Sequence, residues 1–359
     1  MTLLTTSETM IREDLSGYLS IISTAETPLH RFLGRETVTQ KVHEYGIDGF
    51  NFTRTIASIA SNAKAEGATF STTDDAVPNR LRSIAQINWK GVAVSGTNRA
   101  SQHAGISDPF EFRVYKAMVD TANNQEMALL WGTGGTAAAS PRLTQGLVHW
   151  AAFTGLARTL GSAATTLADT NSNTINDEFF SNFYNAGGVN LDLSMLTDKI
   201  LGGAVDQGFQ VQGSVAMCGR KLKALISNFA LGVNGPLNYR QIPAYDNYIT
   251  ENVQFIETAS FGTLPIAYNR YFDLPGQSMS VDNVSGQGTS GLFNSSFPCN
   301  ETMVVFMPEY VKVGTLRGLG WAPLPYTLDG DQGVVLGEEM LIVRNPLAVT
   351  GGCNLLAAA

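Results

Sequence analysis

The hydrophobic and polar positions change period several times along the chain. Leu15, Leu19 and Ile22 recur at helical spacing and stop before Pro28. A residue that precedes proline is pushed out of the helical region, so residues 1–35 read as an arm rather than the start of a core. In ETVTQKVHEYGID, Glu36 to Asp48, β-branched and aromatic residues partly alternate and predict a strand. The stretch SIASNAKAEGATFSTTDDAVPN then holds too few large apolar groups to bury. After it, RSIAQINWKGVAVSG carries Ile84, Ile87, Trp89, Val92 and Val94 and predicts one long strand that hands over to a helix. Joined through a loose tip, the two strands would form a ribbon roughly 50 Å long at ~3.3 Å per residue. A ribbon of that kind is marginal in water by itself. The expectation is that it lies on another copy of the chain.

The clearest element is SDPFEFRVYKAMVDTANNQEMALLWG. Asp108 fits an N-cap, Pro109 the first helical position and Glu111 the capping-box acid, while Gly132 supplies the stop. Phe110, Val114, Ala117, Met118, Ala122 and Leu129 fall on one broad face, so a helix is predicted over 109–131. Residues 132–177 are small, polar and glycine-rich and predict loops with short strands, exposed or at contacts. LDLSMLTDKILGGAVDQGF predicts a second helix weakened by Gly202 and Gly203, GSVAMCG a buried strand, and RKLKALISNFAL a third helix with Leu222, Leu225, Ile226 and Phe229 inward. NVQFIETASFGTLPIAYNRYF predicts two strands around a turn at Gly262, and the chain finishes in strands through TMVVFMPEYVKVGTLRGLGWAPL and GVVLGEEMLIVRNPLAVTGG. Helices and strands do not alternate as βαβ units, so the fold class is α+β.

Composition narrows the function. Charged residues make up 15% of 359 positions and glycine supplies 36, which suits many turns and surfaces meant to be covered. The net charge of −8 argues against tight phosphate binding, which needs clustered Lys and Arg. No apolar run is long enough for a membrane span, and MTLLTTSETMIRED lacks a secretory pattern, which predicts cytoplasmic origin. Cys218, Cys299 and Cys353 lie far apart without a CxxC and read as reduced and incidental; Asn51, Asn294 and Asn300 begin glycosylation-like triplets that carry little weight without a signal peptide.

Candidate chemistry is thin. GQGTSG, Gly286 to Gly291, matches GxGxxG but is followed by LFNSSFPCN, not a helix start, so a loop is the better reading. WGTGGT lacks the strand and the Lys that a phosphate cradle needs. Asp329 and Asp331 have the spacing of a calcium loop, yet Gly333 stands where an acid or Asn belongs, which favours a polar turn. Glu338 and Glu339 are adjacent in a predicted strand and so face opposite ways. His30, His43, His103 and His149 share no metal-ligand spacing and read as singletons, solvated or hydrogen-bonded. The expectation is no catalytic, cofactor-binding or metal residue, no cofactor, and no enzyme.

Particular segments carry a resemblance. DLSGYLSIISTAETPLHRFLGR, the run RLRSIAQINWKGVAVSGTNRASQHAG after EGATF, TASFGTLPIAYNRYF, and VGTLRGLGWAPLPYTLDGDQGVVLGEEMLIVRNPLA together resemble the tailed-bacteriophage major capsid proteins, the Johnson fold. The likeness touches most of the chain apart from residues 133–190 and 275–300, and it lies in the order of segments rather than in any one motif. It implies an N-terminal arm (1–35), an extended loop (36–97), a peripheral domain (98–190 and 300–347) with a spine helix at 109–131, an axial domain (191–299) and a C-terminal tail (348–359). It also implies a coat protein that forms hexamers and pentamers of an icosahedral head. The implied partners are further copies, a portal, and scaffold or decoration proteins. The head would enclose double-stranded DNA without sequence-specific binding, as part of a virion assembled in the host cytoplasm, with no membrane.

Some capsids of this fold join a loop Lys to an Asn; here Asp329 and Asp331 stand near that place and the loop tip holds only Lys64, so no cross-link is expected. Some relatives begin with a scaffold-like segment, whereas this chain starts almost at the arm. A bacterial nanocompartment shell of the same fold fits the same segments, and an enzyme of unknown class or a phage tail or decoration protein are the readings from other classes.

Overall fold

The structure is a computed structural model that describes residues 27–47, 63, 65–69, 79–101, 103, 106–135, 138–152, 166–168, 174–176, 183–206, 211–229, 254–258, 262–274, 276–280, 296–325 and 329–356. Helices and strands are mixed without βαβ alternation, an α+β architecture. The chain divides into two compact units. Of the described residues, the smaller takes Thr27 and those within 87–125 and 317–337; the larger takes those within 28–86, 126–316 and 338–359. The long helix Pro109–Trp131 and two long strands contribute residues to both.

In the larger unit the main element is a six-stranded sheet. Its order is β7 (Phe183–Asn185), β16 (Val349–Cys353), β13 (Met303–Phe306), β8 (Val215–Cys218), β10 (Gly262–Tyr268), β9 (Phe255–Thr258). β13 runs antiparallel to both neighbours, Met303 facing Gly352 on one side and Cys218 on the other. The runs VAMC and MVVF are apolar throughout because both faces of the sheet are covered. Successive side chains alternate between two cores. Val215, Met217, Val304 and Phe306 join a cluster with Leu129, Leu130, Trp150 and Phe272. Ala216, Cys218, Met303 and Val305 join another with Leu196, Ile200, Leu222 and Ile226. β9 and β10 pair antiparallel from Gly262 opposite Thr258, and Gly262 has φ +74°, a conformation that a glycine adopts without strain.

The predicted second helix divides. Met195–Leu201 is wound as a π-helix and Gly202–Asp206 as α. Thr197 donates its hydroxyl back to the Leu193 carbonyl at 3.0 Å, and a Cβ at Gly202 would press on the Thr197 carbonyl. Glycine therefore permits the wide turn. The third helix is Arg220–Phe229, with Leu222 and Ile226 buried and Leu225 partly so.

Three expectations are corrected. The strand read as continuous from Arg82 is two strands broken at Ala85. β3 (Asn79–Ile84) pairs with β2 (Val42–Ile47) over six residue pairs, Val42 opposite Ile84 and Ile47 opposite Asn79. Ala85 is buried and donates its N–H to the Lys41 carbonyl at 2.9 Å, which closes that ribbon; β4 (Gln86–Ser95) then belongs to another sheet. The described ribbon is thus about 20 Å long. It has a core of its own, since Ile47 and Leu81 belong to the large cluster and Ala85 packs with Val38, Met340 and Ile342. Its tip, with Ala57 to Val77, lies almost entirely outside the described residues.

The second correction concerns residues 28–35, expected in an arm. Pro28–Phe32 is a short helix whose Leu29, with Leu33 after it, is buried in the large cluster, and β1 (Gly34–Thr37) lies parallel to β14 (Val311–Pro323), Gly34 opposite Lys312. The third concerns residues 144–152, expected in loops with short strands, exposed or at contacts. All nine are buried, and 147–152 are helical. LVHWAA is too short to show a period, and Gly146 lets its backbone approach Leu130, where a Cβ would overlap.

In the smaller unit β4 lies beside β15 (Gly330–Val343), and β15 beside β14. Val92, Ala117 and Val335 form its small core with Phe110, Val114, Met118 and Trp321. Phe110 and Trp321 meet edge to face at 5.4 Å. Asp108 accepts the Phe110 N–H at 2.8 Å as the cap of the long helix. Ile87 and Trp89 differ in parity from Val92 and Val94, so the strand turns them to the other face and leaves them exposed.

Candidate interaction surface and buried charge clusters

The smaller unit exposes more large apolar surface than its small core accounts for. Trp89 is 68% and Tyr115 55% exposed, with Ile87, Leu319 and Leu324 also open to solvent. Scattered single side chains of this kind are ordinary, but an indole this open is a recurrent anchor of protein contacts. In the same unit the Arg99 guanidinium forks between two carboxylates. It donates to Asp108 at 2.8 Å and to Asp331, and stacks over the Phe110 ring at 5.5 Å. The Phe110 N–H, with Arg99 beside it, holds the Asp108 carboxyl below its ordinary range despite some desolvation. Asp331 is therefore an ion-pair partner, and the Gly96 N–H meets the backbone carbonyl of Asp329, not its side chain.

The larger unit holds a buried counterpart. His30 stands between two carboxylates, Nδ1 at 2.6 Å from Glu126 and Nε2 at 2.9 Å from Glu339. The three side chains are 9%, 0% and 5% exposed. Glu126 also accepts the Leu29 N–H at 2.5 Å, the His30 N–H at 3.2 Å and the Asn269 amide at 3.2 Å. Burial would lower the His30 pKa, but the hydrogen bonds and charges of the two carboxylates outweigh it and push the ring up to about 9. Because the carboxylates sit at opposite nitrogens, they cannot converge on one ion. Among the described residues no group of three His, Cys, Asp or Glu is placed to hold a metal.

The sequence reading treated His30 as a singleton and missed this cluster. The partners lie 96 and 309 residues away, a separation no local pattern reports. The other histidines differ: His43 packs near Tyr45, the His103 ring meets the Asn98 carbonyl at 2.7 Å, and His149 is buried, which lowers its pKa to about 4. Glu338 pairs with Arg142 at 2.7 Å while Glu339 faces His30, so the two adjacent acids do serve different partners. Within WGTGGT, the Gly134 N–H is donated to the Thr144 carbonyl at 3.0 Å. Gly286 to Gly291, and Lys64, lie outside the described residues. Cys218, Cys299 and Cys353 are free and buried; burial pushes their thiols up to about 12, 11 and 12. No described helix is long and apolar enough to cross a membrane.

Several solved capsid structures share this fold. The capsid of the cyanophage P-SCSP1u matches with TM-score 0.60 and 11% identity, over 99% of this chain and 97% of that one. The capsid of cyanophage A-1(L) matches with TM-score 0.58 and 13% identity, over 98% and 99%. The capsid of a native GTA particle matches with TM-score 0.58 and 9% identity, over 97% and 96%. Among curated protein sequences none matches. The family model for the SU10 major capsid protein matches residues 2–351, nearly the whole chain. The chain belongs to the SU10 major capsid protein family, and it is a structural coat protein rather than an enzyme.

Proposed function

We propose that this protein assembles into hexamers and pentamers that close into an icosahedral head around double-stranded DNA. The observation that carries this reading is the family match from residue 2 to 351. The open apolar side chains of the smaller unit, Trp89 above all, support it, because a coat subunit covers such groups with neighbouring copies. The domain assignment follows the same reading: an arm, 1–35, whose end at 28–35 is docked on the core, then extended loop 36–97, peripheral domain 98–190 and 300–347, axial domain 191–299 and tail 348–359. Portal, scaffold or decoration proteins are the further partners, and assembly takes place in the host cytoplasm. A net charge of −8 fits DNA kept by enclosure and counterions rather than by base contacts. Family membership favours this over a nanocompartment shell.

The test is expression of the chain, with its phage's scaffold if one is needed, followed by electron microscopy. Closed shells are expected, and boiling in detergent should return a single band at 38.5 kDa. Small soluble oligomers under all conditions would overturn the assembly reading; a reductant-resistant ladder would overturn the absence of cross-links. Deleting Ala57 to Val77 should leave a folded subunit that fails to close shells if the loop acts on a neighbour.

A further inference from the structure

Both ring nitrogens of His30 face carboxylate oxygens at hydrogen-bond distance. A neutral imidazole carries one N–H and can satisfy only one of them; the imidazolium carries two and satisfies both. Glu126 cannot supply the missing proton from its own side, because its two oxygens already receive the Leu29 and His30 N–H groups, the Asn269 amide and the ring. His30 lies in the short helix Pro28–Phe32, Glu126 in the long helix and Glu339 in β15. The charged groups around the site are otherwise engaged or turned away. Glu338 is paired with Arg142, and Arg31 and Arg270 are exposed.

We propose that His30 is a protonation-dependent clasp that fastens residues 28–33 to the core of the larger unit, and that alkali releases this segment before the rest of the unit opens. On loss of the proton, the ring keeps one N–H for a single carboxylate and turns a lone pair toward the other. Withdrawal of His30 relieves that contact, and it carries Leu29 and Leu33 out of the core. The elevated ring pKa, about 9 against 6.5, agrees with the geometry. The clasp is complete below pH 6.5 and is lost as pH rises through 9.

Arg31 and Arg35 are exposed and make the segment a trypsin target once it lifts. The full chain is digested briefly from pH 7.5 to 10, with cleavage read by mass spectrometry and normalised to trypsin activity on a small substrate. Cleavage after Arg31 and Arg35 should rise roughly tenfold between pH 8 and 10, following the deprotonated fraction, while cleavage after exposed Arg220 stays flat. His30→Gln should be cut rapidly at every pH. Should that variant fail to fold, Glu339→Gln keeps the Glu126 anchor and offers an amide N–H to the neutral ring, so its profile should be flat and low. A flat wild-type profile would overturn the proposal, and so would a Glu339→Gln profile that rises like the wild type.

Discussion

Among the described residues each unit has a cation forked between two carboxylates, and the two arrangements work under opposite conditions. Arg99 with Asp108 and Asp331 sits at the surface of the smaller unit, its side chain 44% exposed. His30 with Glu126 and Glu339 sits inside the larger one. Water and salt already screen the first, so each of its contacts is worth little. The second was taken out of water, and its value lies in what would follow if one member were lost: an uncompensated charge in the core. Arginine keeps its proton at any pH a protein survives, whereas histidine does not. The same geometry is therefore sensitive to salt in one unit and to pH in the other.

The largest expected effect comes from removing the hub of the buried set. Glu126→Ala leaves the imidazole, two backbone N–H groups and the Asn269 amide without their acceptor, and should cost about 3–5 kcal/mol in urea denaturation. A loss below about 1 kcal/mol would mean that the buried set is no more valuable than a surface one. Next, wild-type stability should fall by on the order of 3 kcal/mol between pH 6.5 and 10, relative to the change seen in His30→Gln, because the folded ring holds its proton up to about 9. Parallel curves for the two proteins would remove histidine as the cause. In the exposed set, Asp108→Ala takes away both the helix cap and one Arg99 partner. It should lower the melting temperature by roughly 2–4 °C in calorimetry, the smaller unit responding first. The smallest effect belongs to Asp331→Asn. A shift of about a degree at low salt should vanish in 1 M NaCl, where the screening length is ~3 Å; a shift that survives salt would place this pair with the buried kind.

Legibility in the sequence followed the range of the interaction. Asp108, Pro109, Glu111 and Gly132 announce the long helix because capping is settled within four residues. VAMC and MVVF announce buried strands because sheet burial on both faces leaves no polar position. The break at Ala85 shows in the sequence only as a change of apolar parity between Ile84 and Ile87; its meaning comes from the Lys41 carbonyl and from Met340 and Ile342, far along the chain. Residues 144–152 looked like loop because their burial depends on Gly132 and Gly146 letting two segments touch. The His30 cluster was the least visible of all. Histidine and glutamate are ordinary surface residues until three distant segments bring them together.

The placement of the cysteines has a practical side. Cys218 and Cys353 lie on the two strands that flank β13, and Cys299 sits in the 3₁₀ turn just before it. With their thiols held near 11 to 12 by burial, they are almost without thiolate at neutral pH and closed to reagents. Nature has in effect placed three silent dyes around the central strand of the largest sheet. The rate at which a thiol reagent finds them in an intact particle would time the opening of that sheet, with no label introduced and no residue replaced.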